Sequence, residues 1–212
     1  MDDVRSFADT RLVWHCEASH EMKGDELVVR PRPGSDFWRR TFYSPVLVKD
    51  DGCALIAPVS REATMEIAFT LGAVSQFDQA GAVVRVDEET WVKAGLEYVD
   101  GQPRLSVVAT NGVSDWSTQP WGSTSLRLRI HKVHPPQGAA VVVEASSGAE
   151  AAAWQLVRIA SLGSEATWGM GVFAAAPLAN QEGCTATFHS IEIGEKKPTS
   201  HDPDLPADHG GR

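Results

Sequence analysis

The sequence has few cysteines, few tyrosines and no long apolar run. Its three cysteines, Cys16, Cys53 and Cys184, are odd in number, far apart and without a C-x-x-C spacing, which argues against a disulfide framework or a zinc site. Three reduced, mostly buried thiols are expected instead. No apolar stretch approaches the ~18 residues of a membrane span, and Met1-Asp2-Asp3 opens a terminus with neither a basic nor an apolar leader region. Membrane insertion and secretion are therefore not expected, and the cytoplasm is the default compartment. Basic charge is also short: 19 Lys and Arg stand against 28 Asp and Glu, a net charge of -9. That balance is wrong for releasing counterions from a phosphate backbone, so nucleic acid is not an expected partner.

The common catalytic signatures are missing too. There is no E-x-D-x-x-E strand motif that would put two carboxylates on one face for glycoside hydrolysis. There is no G-x-S-x-G elbow, Walker loop, G-x-G-x-x-G turn or H-E-x-x-H helix. His131 and His134 have an H-x-x-H spacing, but positions three apart on a strand face opposite ways, and bringing them together needs the Pro135-Pro136 turn. His15 with Glu17 is an isolated pair. Neither a metal nor a cofactor is expected. Asp87-Glu88-Glu89 follows a strand with diverging side chains and reads as solvated charge.

What the sequence does have is many short β-branched runs. Glu26-Leu27-Val28-Val29-Arg30, Ala82-Val83-Val84-Arg85-Val86, Leu105-Ser106-Val107-Val108-Ala109-Thr110 and Leu126-Arg127-Leu128-Arg129-Ile130 read as strands. Pro33-Gly34-Ser35, Asp50-Asp51-Gly52, Asp100-Gly101 and Asn111-Gly112 lie between such runs and supply turn geometry. Asp100-Gly101 is the best hairpin signal. No long segment holds an apolar period near 3.6, and the most helix-friendly patch, 149–153, is too short to stand alone. The expected fold is all-β: two antiparallel sheets stacked in one domain over 1–194. Residues 195–212 are rich in Gly, Lys, Pro, Ser, His and Asp, a composition that predicts a disordered tail.

Alternation then selects a face. In the strand 91–99, Val92, Ala94, Leu96 and Tyr98 belong to a core, while Trp91, Lys93, Gly95 and Glu97 share the other side. An aromatic, a cation and a carboxylate around a glycine suit the floor of a groove. In the strand 126–131, Leu126, Leu128 and Ile130 turn inward and Arg127, Arg129 and His131 outward. Two neighbouring arginines repel unless a carboxylate or a bound anion answers them. Trp116, in the polar stretch Asn111-Gly112-Val113-Ser114-Asp115-Trp116-Ser117, is the best candidate for a partly exposed aromatic in a loop.

Five strings in order carry a resemblance: Ser35-Asp36-Phe37-Trp38-Arg39, Asp78-Gln79-Ala80-Gly81, Trp91-Val92-Lys93-Ala94-Gly95-Leu96-Glu97, Ser106-Val107-Val108-Ala109-Thr110 and Ser114-Asp115-Trp116-Ser117. Trp154, Arg158, Gly171 and Phe188 continue the pattern. Together they resemble the uncharacterised "regulation of enolase" concanavalin A-like family of bacteria and fungi, over about residues 27 to 193. The resemblance implies a jelly-roll sandwich like that of legume lectins and certain glucanases. It makes Gln79, Lys93, Glu97, Asn111 and Trp116 family-like polar positions, implies a metabolic enzyme as a partner, and supplies no reaction.

Two functions follow. The first is a non-catalytic binding or regulatory module whose concave polar face takes a polar or anionic small molecule, a saccharide-like ligand or a protein. The second is an enzyme, glycoside-acting or a cyclase or isomerase, in which Glu97 and Lys93 handle protons. In either, Lys93, Glu97 and Arg129 are expected to share one pocket near Gln79 and Trp91, with Trp116 covering it. Two cations with one carboxylate predict a locally positive site that draws an anion.

Overall fold

Asp100 and Gly101 both take left-handed φ angles, 52° and 81°, the geometry of a two-residue hairpin turn whose twist matches the strands it joins. In the computed structural model, which describes residues 3–134, 138–147, 153–163, 167–178 and 183–199, the strands around this turn pair from Val99↔Gln102 to Thr90↔Asn111. The expected hairpin is therefore present.

Sixteen strands lie among the described residues. They are β1 (Val13–His15), β2 (Ser19–Lys23), β3 (Glu26–Arg30), β4 (Phe37–Arg39), β5 (Val48–Asp50), β6 (Cys53–Val59), β7 (Ala63–Gly72) and β8 (Gln79–Arg85). The second half adds β9 (Thr90–Val99), β10 (Gln102–Asn111), β11 (Val113–Pro120), β12 (Ser125–Val133), β13 (Ala140–Ser146), β14 (Gln155–Ser161), β15 (Trp168–Ala175) and β16 (Thr185–Gly194). They form two seven-stranded sheets, ordered β1-β6-β15-β8-β9-β10-β11 and β14-β13-β12-β7-β16-β3-β2, and the small hairpin β4-β5. All ladders between these strands are antiparallel. The molecule is the all-β sandwich that the sequence predicts.

The core between the sheets collects one side of each strand. Ala80, Ala82 and Val84 of β8, Val92, Ala94 and Leu96 of β9, and Leu105 and Val107 of β10 meet Leu126, Leu128 and Ile130 of β12 and Met65, Ile67 and Phe69 of β7. Val92 and Leu96 are buried as expected, but Tyr98, next to the last residue of β9, is only half-buried. Strand β9 lies inside its sheet, between β8 and β10.

The other side of this first sheet is not solvated. A second apolar cluster of Phe37, Trp38, Ala54, Val83, Trp91, Val108 and Phe173 packs there, because the segment carrying β4 and β5 crosses the sheet and covers it. Glycines make this layer possible. Gly81 and Gly95 are paired partners, and a Cβ added to Gly95 would sit 2.0 Å from the Ala80 carbonyl oxygen, so no larger residue fits without moving β8.

Several expectations are corrected. Trp116 lies in β11, not in a loop, since Gly112 closes a hairpin that pairs Asn111 with Val113 and Val108 with Trp116. Cys53 and Cys184 are buried, but Cys16 is exposed. The expected tail begins as bound chain: the Lys197 amide donates to Thr64 Oγ1 (2.7 Å) and its Nζ to Glu66 Oε1 (2.7 Å). Residues 200–212 lie outside the described residues, as do 149–152 of the helix-friendly patch and the Pro135-Pro136 turn.

Candidate functional site

On the outer face of the first sheet, strand register fixes which side chains meet. Glu97 of β9 pairs with Gln79 of β8, and Lys93 pairs with Val83 on one side and Val108 on the other, with Trp116 next in the same row. A cavity of about 200 Å³ opens here, with Gln79, Lys93, Glu97 and Trp116 among its walls. Four residues anticipated from the sequence therefore share one site.

The β4-β5 hairpin supplies what the sequence reading missed. Asp36, Trp38, Tyr43 and Leu47 complete the cavity with Phe77, Val108, Pro177 and Leu178. Asp36 Oδ1 accepts hydrogen bonds from the Phe37 amide (2.7 Å), Gln79 Nε2 (3.1 Å) and Lys93 Nζ (3.0 Å). Lys93 also donates to the Phe37 carbonyl (2.7 Å) and faces the rings of Trp91 and Phe173 at 5.8 and 6.0 Å. Such a buried ammonium is tolerable only because it is paired and hydrogen-bonded. Lys93 thus answers Asp36. It makes no ion pair with Glu97 within 4.0 Å among the described residues, contrary to the same-face pair that alternation suggests.

Glu97 is buried. Its Oε2 accepts from Ser106 Oγ (2.6 Å) and Trp116 Nε1 (3.1 Å), and the same indole N–H also reaches Ser106 Oγ (2.8 Å). Burial pushes the Glu97 carboxyl above the usual carboxylate range. Lys93 is the largest single influence against that shift, the Ser106 and Trp116 hydrogen bonds also oppose it, and Asp36 adds to it. Among the described residues neither Glu97 Oε1 nor Asp36 Oδ2 takes a hydrogen bond, and both residues line the cavity.

Aromatic rings complete the walls in an edge-to-face series: Tyr43 on Trp38 (5.5 Å), Trp38 on Trp116 (6.3 Å) and Phe77 against Trp116 (6.4 Å). The hairpin tip that delivers Tyr43 is bent, with Arg40 and Phe42 at left-handed φ values of 66° and 72°. Such values are uncommon for bulky residues and cluster at functional segments. Phe42 stays outside at 90% exposed, while Tyr43 turns in.

Three anticipated residues fall elsewhere. Trp91 shares the outer face but is buried beneath Phe37 (5.9 Å) and does not line the cavity. Asn111 ends β10, exposed at the Gly112 turn. Arg129 is on the opposite side of the molecule, because β12 belongs to the second sheet. There Glu66 accepts from its Nε (3.0 Å), Glu144 lies 3.8 Å away, and Trp154 stacks at 4.2 Å. Arg129 is thus answered by carboxylates of its own sheet, and Arg127 by the Trp154 ring. His131 is fully buried between Glu144 and Thr64, whereas the His134 ring faces Trp168, so the two histidines do not converge.

The sequence and the fold have relatives among known proteins. A family model described as "Protein of unknown function (DUF1349)" matches residues 14–196. The Saccharomyces cerevisiae "Regulation of enolase protein 1" is 34% identical over 158 residues, covering 73% of this chain and 74% of its own length. The crystal structure of a functionally unknown protein from Saccharomyces cerevisiae superposes with a TM-score of 0.81 at 28% identity, covering 91% of this chain and all of the other. At the level of fold alone, the lectin from Bauhinia forficata in complex with GalNAc has a TM-score of 0.54 at 8% identity, covering 91% of this chain and 96% of the lectin. A xylan β-1,4-xylosidase from Bacillus halodurans has a TM-score of 0.61 at 16% identity, covering 82% of this chain but 33% of the enzyme.

Proposed function

Since the chain belongs to the DUF1349 family of proteins of unknown function, its role is argued from the cavity, and we propose that it is a non-catalytic module that binds a small hydroxylated ring, saccharide-like in chemistry, beneath the β4-β5 hairpin. The observation that carries this reading is the pairing of two unoccupied carboxylate oxygens, Asp36 Oδ2 and Glu97 Oε1, with walls of Trp38, Tyr43, Phe77 and Trp116. Ring faces accept the apolar face of a sugar, and fixed oxygens orient its hydroxyls. The volume, about 200 Å³, suits one ring rather than a chain.

The acid–base alternative asks more of the same residues. Lys93, its suggested partner for Glu97, is committed to Asp36 and the Phe37 carbonyl, so it is a fixed cation rather than a mobile proton carrier. Binding without chemistry is the simpler reading. The yeast relative's name, "Regulation of enolase protein 1", extends it: the loaded sandwich would regulate a metabolic enzyme, a role that belongs to the cytoplasm. No helix among the described residues is long and apolar enough to cross a membrane.

A thermal-shift and calorimetric screen of neutral hexoses, pentoses and sugar phosphates tests the proposal. Stabilisation by a neutral ring, abolished by Trp116→Ala in a variant that still folds, is the expected result. A flat response to every compound overturns it.

A further inference from the structure

The cavity holds two carboxylates, each with an oxygen that takes no hydrogen bond among the described residues. Four of its donor groups already have acceptors: Trp116 Nε1 bonds Glu97 and Ser106, Trp38 Nε1 bonds the Thr41 carbonyl, and Gln79 Nε2 and Lys93 Nζ both reach Asp36 Oδ1. The carboxylate oxygens left over, Asp36 Oδ2 and Glu97 Oε1, accept. Two carboxylates stand against one ammonium among the lining residues, so with Glu97 ionised the cavity carries one excess negative charge. That field reaches the hairpin. Burial pushes the Tyr43 hydroxyl up, and Asp36 and Glu97 push it further.

The rings point the same way. Trp38 and Trp116 stand at 89° to each other, Trp38 and Tyr43 at 74°, and Phe77 and Trp116 at 73°, so the aromatic walls do not form one flat platform. Aromatic faces are negative and attract cations, tryptophan most strongly. Tryptophan and tyrosine walls beside two uncommitted carboxylate oxygens suit an ammonium.

From this geometry we infer that the ligand is an amino sugar in its ammonium form, a primary amine on a hydroxylated ring, with N–H groups donated to Asp36 Oδ2 and Glu97 Oε1 and its charge facing the Trp38 and Trp116 rings. The inference rests on the saccharide-like reading above and adds the amine. On binding, Glu97 is held as the carboxylate. Any proton it carried leaves to solvent, so ammonium and carboxylate balance within the cavity.

Four probes separate the amine from the ring. Isothermal titration of the full chain with D-glucosamine, D-glucose, N-acetyl-D-glucosamine and cyclohexylamine crosses the presence of the amine with that of hydroxyls. Glucosamine is expected to bind at least about tenfold tighter than glucose or the N-acetyl sugar, a difference of about 1.4 kcal/mol, and tighter than cyclohexylamine. In Glu97→Gln, which keeps the acceptor for Ser106 and Trp116, both sugars weaken and glucosamine weakens more, so that its advantage over glucose is lost. Trp116→Phe, which keeps a ring, serves as a second variant should Glu97→Gln fail to fold, and it weakens glucosamine more than glucose. Glucose and glucosamine binding equally would overturn the amine and leave the saccharide reading intact. Cyclohexylamine matching glucosamine, with glucose inert, would leave the amine and overturn the saccharide. No binding by any probe removes both.

Discussion

Removing the Lys93 charge tests whether Asp36 and Lys93 form the structural base of the cavity. Lys93 is 3% exposed and gives its ammonium to Asp36 Oδ1 and the Phe37 carbonyl. Lys93→Met keeps most of the stem volume but leaves a largely buried carboxylate without its counter-ion and a backbone carbonyl without its donor. Breaking one partner of such a pair costs ~3–5 kcal/mol, softened here because Asp36 keeps the Phe37 amide and Gln79. Adding Asp36→Asn removes the orphaned charge, so the double variant should be less damaged than the sum of the singles by ~1.5–3 kcal/mol. Urea unfolding of all four proteins, with m-values compared to confirm the same folded state, measures that coupling. A coupling below ~0.5 kcal/mol, the scatter of independent sites, would refute the arrangement.

Leu96, fully buried between the sheets, should lose ~2–5 kcal/mol on Leu96→Ala; a chemical-denaturation loss under ~1 kcal/mol would mean the strand faces the other way. For Glu97, burial raises the folded pKa above its unfolded value near 4.5, so the native state holds the proton more tightly and stability falls as pH rises through the folded pKa. Glu97→Gln removes that slope, and the stability difference, wild type minus variant, should decrease from pH 5 to pH 8; an unchanged difference in melting experiments would contradict the assignment. Native titration with a thiol reagent should modify Cys16 alone, since Cys53 and Cys184 are buried with thiols pushed up to about 11 and about 12, and three thiols should appear only on unfolding; rapid native reaction of a second would contradict it.

What alternation revealed was local. It separated Val92 and Leu96 from Trp91, Lys93 and Glu97 correctly, because side chains one residue apart on a strand face opposite ways whatever surrounds the strand. The Asp100-Gly101 turn was equally legible, since its φ angles are a property of those residues. Arg129 was not. Alternation turned it away from Leu128 and Ile130, and it does face away from them, but strand order put β12 in the other sheet, so the outward side of β12 is the far side of the molecule. Strand order depends on long-range pairing, which no short window carries. Asp36, Trp38 and Tyr43 were missed because β4 has only three residues and no period to read. The string Ser35-Asp36-Phe37-Trp38-Arg39 was the available signal, two large aromatics beside a carboxylate in a polar segment, but it gave no hint that this segment would lie across the first sheet.

The exchange of Arg129 for Asp36 matters more than its single residue suggests, because it reverses the sign of the site. Lys93 and Arg129 around Glu97 would have left one excess positive charge, and a phosphate ester would have been the natural ligand. Lys93 among Asp36 and Glu97 leaves one excess negative charge when both carboxyls are ionised. At an effective dielectric of about 20, a unit charge at ~4 Å contributes about 4 kcal/mol, which exceeds what a single neutral hydrogen bond supplies. A sugar phosphate must overcome that repulsion before its hydroxyls are read, whereas a neutral ring meets none and a cation gains from it. The net charge of -9 on the chain acts in the same direction at long range, so on the proposed reading, with Glu97 ionised, anions are expected to be disfavoured first at the approach and then at Asp36 and Glu97.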